Sequence, residues 1–168
     1  MSTGAAQPQI AGRESIAMRD FSASLPMALL QAREATMRLF RPLLAEHDLT
    51  EQQWRVLRAV SASPAPLEVG AIVDATFLLA PSLSRILRAL ERRHLVTRSP
   101  VVADQRRAEI VLTDRGYDMV AQVAPESEAI YNQIESAFGA AELHGLLNKL
   151  ASLRDTTQAI PAQAQGDS

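Results

Sequence analysis

Residues 81–94, PSLSRILRALERRH, constrain the fold more than any other stretch of the chain. Leu83, Ile86, Leu87 and Leu90 recur at i, i+3, i+4 and i+7, so they line one side of a helix. Arg85, Arg88 and Arg92 fall on the opposite side of the same wheel. Such a helix buries one face and presents a cationic ridge on the other. Pro81 suits its first turn, where a missing N–H costs nothing. After His94 the period changes from helical to alternating. Leu95–Val101 and Ala108–Leu112 read as two strands, with Ala103, Asp104, Gln105, Arg106 and Arg107 between them as a charged hairpin tip.

The segments around this unit are helical. Leu25, Leu29, Ala32, Leu39, Phe40, Leu43 and Leu44 recur near helical spacing in a long first helix, which Pro42 is expected to kink. Thr50 and Gln53 have the spacing of a capping box, with Leu49 and Trp54 at the staple positions around it. The helix so started is expected to run to about Ala62, ahead of Pro64 and Pro66. Pro66 then suits the first turn of a short third helix with Leu67, Ile72 and Val73 facing inward. Thr113 caps a long fifth helix, with Leu112 and Tyr117 as its staple and Pro125 as an expected bend. Gly139 ends or breaks it, and Leu143, Leu146, Leu147, Leu150 and Leu153 mark a last amphipathic helix. These outer helices carry more apolar edge than one small domain covers, which points to association surfaces.

Composition narrows the function. Hydrophobic residues make up 47% of the 168, enough for a core of ordinary size. The net charge of −2 hides a basic block: residues 81–107 hold seven arginines against Glu91 and Asp104, a local +5. A basic block in an acidic chain reads as a contact surface for a polyanion. There are no cysteines, which excludes disulfides and thiol chemistry. No apolar run reaches the ~20 residues of a membrane span, and the N-terminus lacks the apolar core of a signal peptide, so a cytoplasmic location is expected. His47, His94 and His144 are far apart, so neither a metal site nor a cofactor is expected. No phosphate loop, nucleophile elbow or local acid/base pair of carboxylates stands out.

A capped helix, a short helix, a basic amphipathic helix and a charged hairpin follow one another in the order of a winged helix-turn-helix. Ser82, Ser84, Arg85 and Arg88 lie in the first two turns after Pro81, where side chains reach base edges in a major groove. Arg106 or Arg107 at the hairpin tip suits a neighbouring minor groove. Asp104 cannot bind phosphate; it suits the orienting of an arginine, or a turn.

The stretch from Leu49 to Gly116 resembles the MarR family of winged-helix regulators. Asp104-x-Arg106 and Leu112-Thr113-x-x-Gly116 are the most specific marks. ALLQAREATMRLFRPLL, LTEQQWR and PSLSRIL are similar to the HpaR and HcaR-like branch, whose members govern catabolism of aromatic acids. The resemblance covers about residues 25–153. It implies a mainly α protein with a small β-hairpin wing, dimerised through its N- and C-terminal helices. It implies repression at an inverted repeat of double-stranded DNA, relieved by a small aromatic acid or its thioester. It also assigns DNA contact to positions 82, 84, 85 and 88 and to the wing at 104, 106 and 107. The family usually carries Gly where His94 stands, a left-handed position that histidine enters at some cost.

On this reading residues 1–20 form a disordered tail, 21–48 a dimerisation helix and 49–113 the winged DNA-binding region. Residues 114–157 form the C-terminal dimerisation helices, and 158–168 a second tail. An aromatic acid needs a cation for its carboxylate and apolar walls for its ring. Arg33 or Arg38 is the expected carboxylate partner, assisted by His47 or Trp54, with Phe40 and Met37 as walls. Each of these arginines also suits a surface pair with Glu34 or Glu46, and Trp54 suits simple core. Two other classes remain: an all-helical enzyme clamping a carboxylate, in the manner of chorismate mutases, and a helical adaptor that binds only protein. The charged hairpin and the cationic ridge argue against the enzyme, and salt-dependent binding of duplex separates a DNA-binding protein from both.

Overall fold

The computed structural model describes residues 20–101 and 104–161, without the side chains of Ser22 and of residues 100–107. Most of the two expected tails, 1–19 and 162–168, thus lies outside the described residues. The chain divides into two units, Met1–Met37 and Arg38–Ser168. The described part of the first unit is a single turn of 3-10 helix, Phe21–Ala23, and the start of helix α1, Leu25–Glu46. In it Phe21, Leu25, Leu29 and Leu30 are all exposed.

The second unit holds the rest of α1, then α2 (Glu51–Ser61), β1 (Leu67–Glu68), α3 (Val69–Thr76) and α4 (Ala80–Arg92). Strands β2 (Val96–Val101) and β3 (Asp104–Leu112) follow, then α5 (Asp114–Phe138) and α6 (Ala140–Gln158). Pro42 and Pro125 both sit inside continuous helices. The core is built where the apolar stripes meet. Leu43, Leu44, Trp54, Val56, Leu57, Ile72, Leu83, Leu87, Leu90, Ile110 and Val123 are buried in one cluster. Each such side chain contributes about 1.5–3 kcal/mol on leaving water.

The helix starts follow the expected chemistry. Thr50 accepts from the Gln53 N–H at 3.1 Å, and Gln53 Oε1 accepts from the Thr50 N–H at 3.0 Å, so the capping box is complete. Leu49 and Trp54 join the same buried cluster. Thr113 caps α5 by accepting from the Gly116 N–H at 3.0 Å. Of the expected staple there, Leu112 is buried and Tyr117 is exposed. Gly139, at φ 100°, separates α5 from α6. Among the described residues no single helix is long and apolar enough to cross a membrane.

The sheet corrects two expectations. Pro66 does not open a helix: Leu67 and Glu68 pair antiparallel with Ile110 and Glu109, giving a three-stranded sheet in the order β1-β3-β2. The pairing satisfies backbone groups that a helix beginning at Pro66 would have left at its open end. Secondly, β3 starts at Asp104 and pairs there with Val101 across a register shift, so residues 104–107 are strand rather than loop. The alternation in 104–107 is hidden because all positions but Ala108 onward are polar on both faces.

Candidate nucleic-acid interface and ligand site

Helix α4 is divided as its stripe dictates. Leu83, Leu87 and Leu90 are buried and Ile86 packs against the same core. Pro81, Ser82, Ser84, Arg85, Arg88 and Arg92 are exposed. At the helix start Leu79 supplies no side-chain cap, so the first N–H groups point outward unfilled by any side chain. Arg88 Nε donates to the Ser84 carbonyl at 3.2 Å, which lays the guanidinium along the exposed face. The result is an exposed cationic face with a helix N-terminus at its leading end, a chemistry that suits phosphates. The buried face also fixes the roll of the helix, since turning it would expose three leucines.

Arg93, which follows the last residue of α4, is not part of that ridge. It turns inward at the end of α4 and donates from Nη1 to the Asp48 carbonyl at 2.6 Å and from Nη2 to the His47 carbonyl at 3.1 Å. Asp48 holds a left-handed φ of 53°, the bend that aims both carbonyls at the guanidinium. The next residue, His94, is also left-handed, at φ 55°. Its carbonyl accepts from Thr113 Oγ1 at 2.6 Å, and the Leu95 carbonyl accepts from the Thr113 N–H at 3.2 Å. Thr113 thus joins the exit of α4, the root of the hairpin and the start of α5. Gly116 completes this junction, because a Cβ there would lie 2.0 Å from the Leu95 carbonyl oxygen. The backbone of Asp104, Arg106 and Arg107 lies on β3; their side chains fall outside what the structure describes.

Of the expected ligand residues, Arg33 lies in the first unit and Arg38, His47 and Trp54 in the second. Arg33 is paired with its neighbour Glu34. In the second unit Arg38 is exposed and His47 is half-buried, its carbonyl engaged by Arg93. Arg41 pairs with Glu51 at 2.5 Å. Trp54 is core, 7% exposed. A different arginine meets the aromatic side chains. Arg58, one turn after Trp54 on α2, donates to the Tyr131 hydroxyl at 3.2 Å and lies 5.9 Å from that ring's centroid. The Tyr131 ring in turn packs on Phe40 at 4.9 Å. These three residues come from α1, α2 and α5, so sequence spacing carried no sign of their meeting. The i, i+4 spacing of Trp54 and Arg58 was the available local signal.

A family model described as MarR family matches residues 47–107, which span α2 to the hairpin. The homoprotocatechuate degradative operon repressor of Escherichia coli is 41% identical over 127 residues, 76% of this chain and 85% of that protein. The chain belongs to the MarR family. Two solved MarR-like structures overlay on most of it. NadR in complex with 4-hydroxyphenylacetate is 34% identical at a TM-score of 0.72, over 82% of this chain and 97% of that one. The repressor CouR bound to a 23-mer DNA duplex is 26% identical at a TM-score of 0.72, over 84% and 99%. As a MarR chain the protein is a transcription regulator and not an enzyme. The three-stranded sheet independently removes the all-helical alternative.

Proposed function

We propose that the protein is a homodimeric repressor of an operon for aromatic-acid breakdown, acting in the cytoplasm on an inverted-repeat operator. The observation that carries the DNA half of this reading is the split of α4 into a buried leucine stripe and an exposed ridge of Arg85, Arg88 and Arg92. Pro81, Ser82, Ser84, Arg85 and Arg88 are assigned to the major groove, and Asp104, Arg106 and Arg107 of the hairpin to the flanking backbone and minor groove. Two such helices related by a dyad enter successive major grooves ~34 Å apart. The dimer contacts are assigned to the exposed apolar residues of the outer helices, Leu29 and Leu30 on α1, Phe138 on α5, and Leu146 and Leu147 on α6.

The effector is assigned as a small aromatic carboxylate or its thioester. Arg58, Tyr131 and Phe40 support this better than Arg33 or Arg38, because they join a cation, a hydroxyl and an apolar ring at one place, with Trp54 one helical turn before Arg58. Arg33 is already neutralised by Glu34. The likeness to a homoprotocatechuate operon repressor and to a 4-hydroxyphenylacetate-bound regulator points to the same ligand class. A ligand acts only through unequal affinity for two arrangements of the dimer. This one favours a spacing of the two heads that DNA does not accept. The test is operator affinity with and without hydroxyphenylacetates, hydroxycinnamates and their thioesters. Release by one of these supports the assignment; indifference to all of them removes the aromatic-acid half and leaves the DNA half standing.

A further inference from the structure

Ser127 sits on α5 one turn before Tyr131 and one turn after Val123. It is only 2% exposed, and its hydroxyl is the one buried side-chain polar atom among the described residues that finds no hydrogen-bond partner. Serine in a helix commonly relieves such a hydroxyl by donating to the carbonyl four residues back. Thr36 does so to Ala32 at 2.9 Å and Thr76 to Ile72 at 2.5 Å. Ser127 makes no such bond to Val123. An unpaired buried hydroxyl costs stability, and alanine would fill the place without that cost.

Helical phase decides what the hydroxyl faces. Residues 123, 127 and 131 share one side of α5. Val123 at one end is in the core, and Tyr131 at the other meets Phe40 and Arg58. Ser127 therefore lies on the same side of α5 as Tyr131, one turn toward the core, buried where Tyr131 is 40% exposed. We propose that the Ser127 hydroxyl is a specificity-determining group of the effector site, pairing with a hydroxyl on the ring of the effector. The carboxylate takes Arg58 and Tyr131 at the exposed end. The ring lies along one turn of α5, and its hydroxyl exchanges a hydrogen bond with Ser127 Oγ at the buried end. A ring hydroxyl that pairs this orphaned group gains a hydrogen bond that the unsubstituted acid cannot make, which makes Ser127 a determinant of specificity rather than of affinity alone. The proposal rests on the effector site proposed above.

The experiment compares phenylacetate with its three ring-hydroxylated isomers by calorimetry on the full chain, for wild type and Ser127→Ala. Wild type is expected to bind at least one hydroxylated isomer about tenfold or more tightly than phenylacetate. Ser127→Ala is expected to lose that preference, with an undiminished melting temperature because no hydrogen bond is removed. Persistence of the preference in Ser127→Ala overturns the proposal, as does a wild type that ignores the hydroxyl. A clear fall in melting temperature also overturns it, by showing the hydroxyl bonded within the fold. Binding of all four acids without preference refutes Ser127 alone, whereas binding of none refutes the effector site and the proposal together.

Discussion

Arg93 Nη1 donates to the carbonyl oxygen of Asp48 at 2.6 Å, tying the end of the recognition helix to the turn between α1 and α2. With the second bond to His47, this guanidinium holds two adjacent backbone carbonyls. It sits among arginines assigned to DNA, yet its work is internal. Replacing it with methionine keeps the stem and removes both bonds, so stability should fall by about 1–3 kcal/mol, measured by urea denaturation. DNA binding should weaken without any change in its salt slope. A slope smaller by about one unit would instead place Arg93 on a phosphate.

Arg88 is the converse case. Its guanidinium is exposed on the open face of α4, so Arg88→Ala should leave stability within about 0.5 kcal/mol of wild type. Specific binding should weaken by ~1–3 kcal/mol if the side chain reads a base, with relaxed preference at one operator position. Arg106→Ala should weaken binding more evenly across sequences. Wild-type affinities in both variants would show the contact assignment to be wrong.

Gly116→Ala should damage the junction of wing and α5. The added methyl meets the Leu95 carbonyl at 2.0 Å, and backbone has to move to admit it. A loss of about 1–3 kcal/mol or more is expected in thermal or chemical unfolding. Unchanged stability would mean that the Leu95 carbonyl and Thr113 are not held as described.

Arg58→Ala tests the effector site separately from the DNA face. Removing the guanidinium should weaken aromatic-acid binding by about 1.5–3 kcal/mol, as loss of a charged hydrogen bond does, while the salt slope for DNA stays that of wild type. Arg38→Ala, which removes an exposed side chain, should leave acid binding near wild type. The reverse ranking would return the carboxylate site to α1.

Much of the head was readable from residues because its signals are local. The leucine stripe of α4 lies within eight residues and the capping box at Thr50 within four, whereas the left-handed turn at His94 was expected from the family resemblance alone. The two-residue strand β1 was not readable, since Leu67 and Glu68 are too few to display alternation and Pro66 carries an equally good helix-start meaning. Charge counting found the basic block but not the inward turn of Arg93, because direction depends on the Asp48 bend 45 residues away. The meeting of Arg58 on α2 with Tyr131 on α5 spans 73 residues, a separation at which spacing says nothing. The orphaned hydroxyl of Ser127 shows itself only when burial and bonding are both known.

The central claim is that the cationic side of α4 meets phosphate while its leucine side stays in the core. The most direct measurement is the affinity for duplex DNA from beside the protein's own gene, followed as salt is raised, for wild type and Arg85→Ala/Arg88→Ala. Wild type should lose affinity steeply and log-linearly with salt, and the double variant should show a shallower slope with an intact fold. Duplex binding that is absent at low salt, or that ignores both salt and the two arginines, would contradict the account.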